Sequence, residues 1–391
     1  MDFGPVNTVV SSNFIDKVRF RASAQTTANL SPHLFLKGYA AYGVRDKKWK
    51  YEGEVEYSFL KKQYSPEEFP RNSIAISTRY DVMAPSDAML PTDKDNVFTS
   101  LKTQTIDQMS YFRQYNIRYV YEFDNHFGIT AQLRHITQNP TGTLFYRTVG
   151  GQMVPELTQS EATLSLRYAP GEKVVVTKQR RHPVNHNYPI YTLMHTTGFK
   201  DVLGGDYASN YTELSVTKRF WLNSYGRIDI YGRAGAQWNR VPFPLLITPA
   251  ANNSYIIQRS MFNMINNMEF MNDRFVSLDV QWDLSGKLFN RIPLLKHLKW
   301  REVIGFKTLY GTLTDKNNPF KKGNQSDLFE FPSRNGQPTS FVMGDTPYME
   351  LNVGIHNIFK ILRVDYVRRL NYLNAPNAKK NGVRFVLQFD F

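Results

Sequence analysis

Apolar and polar residues alternate with a period of two from one end of the chain to the other. The clearest stretch sets Val276, Leu278, Val280, Trp282 and Leu284 against Ser277, Asp279, Gln281 and Asp283. Val18, Phe20, Ala22 and Ala24 alternate with Arg19, Arg21, Ser23 and Gln25, and Tyr51, Gly53, Val55, Tyr57 and Phe59 with Glu52, Glu54, Glu56 and Ser58. Successive side chains of a strand point to opposite faces, so each stretch predicts a strand with one apolar and one polar face. Sixteen such strands are predicted, near residues 5–12, 17–26, 33–42, 50–60, 72–81, 109–124, 126–138, 159–168, 188–197, 208–220, 225–238, 273–286, 297–309, 348–357, 361–371 and 382–391.

Alternation fits a soluble sandwich with its apolar rows inside, and equally a barrel with those rows outside. Strand length and number decide between them. Segments of about ten residues match one tilted bilayer crossing, and an even strand number is what single-chain bacterial barrels use. With the first strand rising from the periplasm, the long connections 82–108, 139–158, 239–272 and 310–347 all fall on the outer side. Short turns such as Asp124-Asn125-His126 fall on the other, where 169–187 and 287–296 are the longer exceptions. The expected fold is all-β: a single transmembrane antiparallel β-barrel of about sixteen strands spanning residues 1–391. Open edges are not tolerated in lipid, so 5–12 is expected to meet 382–391.

Composition sharpens this picture. No apolar run approaches the roughly 18 residues of a membrane-spanning helix, and mean hydropathy is −0.44. The 23 Tyr and 27 Phe suit interfacial girdles. Cysteine is absent, which excludes disulfides and thiolate metal sites. The opening Met1-Asp2-Phe3-Gly4-Pro5 has no basic or apolar leader character, so a leader and an N-terminal periplasmic portion are expected to precede this sequence. The net charge of +14 is spread singly over alternating strands, which argues against a nucleic-acid partner. The one dense cluster, Lys178, Arg180, Arg181 and His182, suits a turn or anionic headgroups.

The chain closes on Val383, Phe385, Leu387, Phe389 and Phe391 facing one way and Arg384, Val386, Gln388 and Asp390 the other. An alternating last strand that ends on phenylalanine resembles the recognition signal of bacterial outer-membrane barrels, which assigns Phe385, Phe389 and Phe391 to barrel closure and that signal.

Longer stretches carry a family resemblance. They are Pro32-His33-Leu34-Phe35-Leu36-Lys37-Gly38-Tyr39-Ala40-Ala41-Tyr42-Gly43, Arg167-Tyr168-Ala169-Pro170-Gly171-Glu172-Lys173, His195-Thr196-Thr197-Gly198-Phe199-Lys200, Asn290-Arg291-Ile292-Pro293-Leu294-Leu295-Lys296-His297-Leu298-Lys299-Trp300, and the run Val353–Tyr366. Together they resemble a family of Bacteroidota outer-membrane barrels of unassigned function, in which a carboxypeptidase-regulatory-like domain precedes the barrel. More distantly, the Leu362-Arg363-Val364-Asp365-Tyr366 run and the strand count are similar to the surface-antigen superfamily of outer-membrane assembly and secretion barrels. That resemblance implies a weak seam between first and last strands. It also implies a sixth outer loop, here 239–272, folded into the lumen with an Arg-Gly-aromatic tip. This sequence has Arg259-Ser260-Met261-Phe262 instead, and Gly305-Phe306-Lys307 where an aspartate–glycine pair is expected.

Two functions follow as expectations. One is an assembly or translocation barrel working with other envelope proteins; the other is a diffusion pore or a plugged surface scaffold. Both imply outer-membrane lipid and lipopolysaccharide as surroundings. No enzyme, cofactor or metal is expected. Hydrolase elbow and zinc motifs are missing, His182 and His186 lie among prolines and asparagines, and Leu203-Gly204-Gly205-Asp206 lacks the rest of a phosphate loop. Charges of both signs on the inward rows are expected to pair across strands, and Arg259 is the candidate lumen anchor, with Asp279 or Asp365 as partner.

Overall fold

The computed structural model describes residues 1–89, 93–176, 181–183, 187–323 and 327–387. The wall is one antiparallel sheet in simple up-and-down order. Its first element, β1, is interrupted: Asp2–Phe3 and Val10–Ser11, separated by a turn at Val6–Thr8, both pair with β2. Then follow β2 (Arg19–Gln25), β3 (Leu34–Gly43), β4 (Trp49–Ser58), β5 (Asn72–Met83), β6 (Gln108–Glu122), β7 (Phe127–Gly142), β8 (Leu157–Tyr168) and β9 (Ile190–Gly198). The second half comprises β10 (Ser209–Trp221), β11 (Arg227–Gln237), β12 (Arg274–Asp283), β13 (Arg301–Thr312), β14 (Tyr348–Ile358), β15 (Leu362–Arg369) and β16 (Asn381–Leu387). From β2 onward each strand pairs with the next.

Two expectations near strand ends are corrected. Residues 5–12 do not form one continuous strand, because the turn at Val6–Thr8 breaks it. The segment expected to start a strand at 297 first makes a short helix, α1 (Pro293–Leu298), opened by its proline and ended by Lys299 at φ 55°. The longer connection after β8 carries its own hairpin, Val174–Val176 with Arg181–Pro183. Lys178, Arg180 and His186 lie outside the described residues, as do Phe389 and Phe391.

The two rows of each strand separate as the alternation requires. Leu133 and Val276 are 57% and 59% exposed on the outer face, and Leu36, Val55, Ile76, Ile117, Leu193 and Val353 join them. So wide an apolar exterior is a surface made to meet something apolar. The inward row is ionic. Arg79 pairs with Glu52 on the neighbouring strand at 3.5 Å, Arg233 with Glu213 at 2.8 Å and Arg219 with Asp229 at 2.5 Å. Arg118 reaches past β5 to Glu54 at 3.3 Å. Polar side chains that cannot all be hydrated satisfy one another across the strands.

The apolar core lies in the loops at one end. Leu144 and Tyr146 of the connection after β7, with Leu157 at the foot of β8, pack with Val241, Phe243, Leu246, Met268 and Met271 of the connection after β11, and with Phe329 and Phe331 of the connection after β13. All of these connections follow odd-numbered strands, so they share one mouth of the barrel. That agrees with the loop parity read from the sequence.

Candidate functional site in the lumen and at the seam

The connection 239–272 contains Met261, Met264, Met268 and Met271 together with Phe243, Phe262 and Phe270, and all are buried. Ordering so long a segment costs about 1–2 kcal/mol per residue in backbone entropy, whereas each large apolar side chain taken out of water returns roughly 1.5–3 kcal/mol. A loop with this composition is therefore driven inward. Its second half packs with Phe275 of β12, Leu309 of β13, Tyr348 of β14 and Val367 of β15.

Four inward-facing charges hold it there. The Glu350 carboxylate accepts the backbone N–H groups of Asn263 at 2.9 Å and Met264 at 3.0 Å, and the Tyr348 hydroxyl at 2.9 Å. Arg369 donates to Glu269 at 2.7 Å and to the Met264 carbonyl. Lys307 and Arg384 each donate at 2.6 Å, to the carbonyls of Met261 and Asn263. Glu350, Arg369, Glu269, Lys307 and Arg384 are all buried. From the opposite wall, Asn267 donates to the Gln108 carbonyl and accepts from Ser86 N–H at 3.0 Å. The loop thus crosses the lumen from β6 to β14–β16. Glu269 is the loop's only acidic residue. That signal, and the place of Glu350 on the inward row of β14, were readable in the sequence, but neither was singled out.

Below the loop, at the end with the short turns, lies a cavity of about 310 Å³ lined by the β10–β15 segments nearest those turns. Polar side chains pack closely along its wall. A Cβ on Gly305 would stand 2.0 Å from the Asn352 amide oxygen, and one on Gly354 2.0 Å from the Asp365 carboxylate. Glycine at these positions lets the Gln281–Asn352–Asp365 ladder lie flat against the wall.

The three proposed anchor residues all line this cavity. Asp279 is paired with Lys307 at 3.0 Å. Asp365 is paired with Arg363 at 2.6 Å and accepts from Asn352 at 2.8 Å. Arg259 is solvent-exposed in the lumen, and among the described residues no ion pair joins it to either aspartate. Ser260 beside it takes φ 64°, so the loop tip makes the left-handed turn that glycine makes freely. Among the described residues no three His, Asp or Glu side chains are placed to hold a metal.

The seam departs from the rest of the wall. β16 pairs with β15 through seven residues, and among the described residues its other edge has no pairing with β1. The expected direct closure of 5–12 on 382–391 is not found there. Instead Phe385 N–H donates to the Tyr255 carbonyl, and Ile257 N–H to the Phe385 carbonyl, both at 2.8 Å. Beyond that, Tyr255 N–H meets the Leu101 carbonyl at 3.0 Å and Thr103 N–H the Asn253 carbonyl at 2.8 Å. Next, Val97 N–H reaches the Asn7 carbonyl at 2.8 Å, and Ser12 N–H the Ser100 hydroxyl at 3.1 Å. Phe385 lies on the outward row with Val383 and Leu387, while Arg384 points inward and is buried.

Sixteen antiparallel strands with an apolar exterior and an ionic interior define a transmembrane-type β-barrel. Residues 3–320 match the family described as the C-terminal domain of a family of unknown function, DUF5686, and the chain belongs to that family. No curated protein sequence matches it. Among solved structures it is similar to BamA from Haemophilus ducreyi lacking POTRA domains 1–3. The TM-score is 0.57 at 8% identity, over 96% of this chain and 69% of that one. It is also similar to CdiB from Escherichia coli, with a TM-score of 0.53 at 8% identity, over 96% of this chain and 60% of that one. At such identities the likeness is one of fold.

Proposed function

We propose that this chain is an integral barrel of a bacterial outer membrane, in one of the Bacteroidota, and that it assembles or translocates other envelope proteins. Its exterior faces outer-membrane lipid and lipopolysaccharide, and it works with a periplasmic portion of the kind the family resemblance implies. One combined observation carries the reading. The loop 239–272 is anchored inside the lumen on β13–β16, and the last of those strands is the one whose outer edge, among the described residues, is not paired with β1. A barrel that handles polypeptide at its wall needs a seam weaker than its other ladders and an internal element that responds to it. A diffusion pore needs an open mouth, whereas three loops build a shared apolar core across this one.

The test is depletion of the full-length protein, followed by quantitative proteomics of the outer membrane and pull-down from native membranes. A selective fall in a set of envelope proteins, some recovered in the pull-down, supports the reading. An unchanged outer-membrane proteome, with solute uptake lost instead, moves the function to the pore.

A further inference from the structure

The gap between β1 and β16 is filled by two loop segments that behave as pieces of wall. Ile256 bridges Phe385 in parallel, and Lys102 bridges Ser254 in antiparallel fashion. Bridged residues share a face, so Ile256 continues the outward row of Phe385, while Ile257 lines the lumen cavity. The second segment leaves Val97, Phe98 and Leu101 solvent-exposed, at 41%, 41% and 58%. Across the gap the order is therefore β16, 253–257, 97–103, β1. Loop segments that carry backbone hydrogen bonds across the gap, one of them continuing the outward row of β16, are doing a strand's task.

The first of these segments is a poor strand. Three residues of β16, namely Val383, Phe385 and Leu387, turn their backbone toward the gap, since Phe385 does so and orientation alternates. The segment takes the N–H and C=O of Phe385 through a single parallel bridge. On its other side β16 carries a seven-residue antiparallel ladder with β15. Antiparallel pairing is the more stable per residue, so an incoming extended chain could outpair the resident one at that edge. Until then, the resident shields an edge that would otherwise recruit strands indiscriminately.

We propose that segment 253–257 is a resident strand occupying the edge of β16, exchanged for an extended, alternating polypeptide strand with one apolar and one polar face. This rests on the assembly reading and names both the edge that reading needs and what blocks it. Exchange couples the wall to the lumen, because the resident is continuous with the segment held by Lys307, Glu350 and Arg384.

The chain has no cysteine, so the pair Ile256→Cys and Phe385→Cys is unique in it. Neighbouring strands lie about 4.8 Å apart, inside the roughly 4.4–6.8 Å reach of a disulfide. The full-length variant in native outer-membrane vesicles is offered a biotinylated peptide with the sequence of residues 382–391, and capture is read by photo-crosslinking from p-benzoylphenylalanine at position 387. Under oxidation the disulfide forms and capture falls by an order of magnitude; reductant restores it. A second variant, Ile257→Pro, removes the N–H that reaches Phe385 and raises capture several-fold. A peptide with proline at alternate positions is not captured.

Equal capture by the oxidised and reduced forms overturns the proposal. So does failure of the disulfide to form where a Val10→Cys, Phe385→Cys pair forms readily, since that is direct closure of the wall. Because the assay uses no natural client, it separates from the depletion test. Exchange with an unaffected outer-membrane proteome removes the assembly function and leaves the strand exchange standing.

Discussion

The wall at β6–β8 and the wall at the seam are made of the same kind of residue and hold together very differently. β6 and β7 pair over fifteen residues and β7 and β8 over twelve. β1 meets β2 through two pairs at each of its two pieces, and among the described residues β16 carries on its other edge one bridge to a loop. Alternating rows alone therefore do not set the strength of a barrel wall; uninterrupted ladder length does. Stability in such a structure is local, and the least protected segments are the ones free to open.

The largest expected contrast comes from proline. In the middle of a ladder it removes a hydrogen bond and is excluded from central strands. Leu133→Pro in β7 is expected to abolish the folded, heat-modifiable form on cold gels. Val10→Pro is expected to leave it intact, because Arg21 N–H bonds the Val9 carbonyl and the N–H of Val10 then points into the gap. Equal damage from both would mean that β1 is as firmly held as β7.

Next is removal of the plug. Deleting 250–262 takes out the resident strand and the Arg259 tip while sparing the buried pair Arg369–Glu269. Single-channel current in planar bilayers is expected to rise several-fold. The same protein with a deletion in the connection 59–71, which follows the even-numbered β4 and so lies at the other mouth, should conduct as the parent does. An unchanged current would show that the other loops close the mouth unaided.

The third compares the two faces of one strand. Val280 opposes Phe306 on the outer row, and Gln281 opposes Gly305 on the lumen row. Arginine at Val280 is expected to destabilise the barrel by about 2–4 kcal/mol in lipid unfolding titrations, if the site lies near the midplane, and arginine at Gln281 far less.

The smallest concerns Lys379, in the connection between β15 and β16. Burial, with Arg384 nearby, pushes its ammonium down to about 7, against a weaker opposing pull from Glu269. The folded protein thus releases this proton earlier than the unfolded chain does. Protonating Lys379 in the folded state carries a penalty that is full below about pH 7 and fades as pH rises toward the ordinary lysine range. Lys379→Met should flatten the rise in melting temperature between those pH values. An identical slope in the variant would assign the pH dependence elsewhere.

The wall was legible because period-two alternation is a local signal that burial on one face enforces at every residue. Strand positions from β2 to β16 follow from it, and so does the side on which the long loops lie. The burial of 239–272 was legible too, since its methionines and phenylalanines have nowhere else to go. What local pattern could not supply was pairing between distant segments. Nothing in Tyr255-Ile256-Ile257 marks it as a partner for Phe385, and Ser12 with Ser100, like Asn7 with Val97, meets across a long stretch of sequence. β1 departs from the alternation locally: residues 5–12 have strand-like composition, but the Pro5 carbonyl accepts both the N–H and the hydroxyl of Thr8 and closes a turn at Val6–Thr8. Arg259 stands in the stretch that the resemblance compares with an Arg-Gly-aromatic tip, while the anchors are Glu350 and Arg369, whose alternation looks like that of any lumen residue.

The thioethers of Met261, Met264, Met268 and Met271 lend the plug a property that aliphatic side chains would not. Methionine is unbranched and fits many cavities about equally well, so a plug rich in it can leave its socket and settle back without regaining one unique interlocking arrangement. The same atoms are chemically vulnerable once uncovered. Oxidation to the sulfoxide turns each into a polar group that no longer suits the socket. A plug uncovered in an oxidising surrounding is therefore open to a modification that keeps it from reseating until the sulfoxide is reduced.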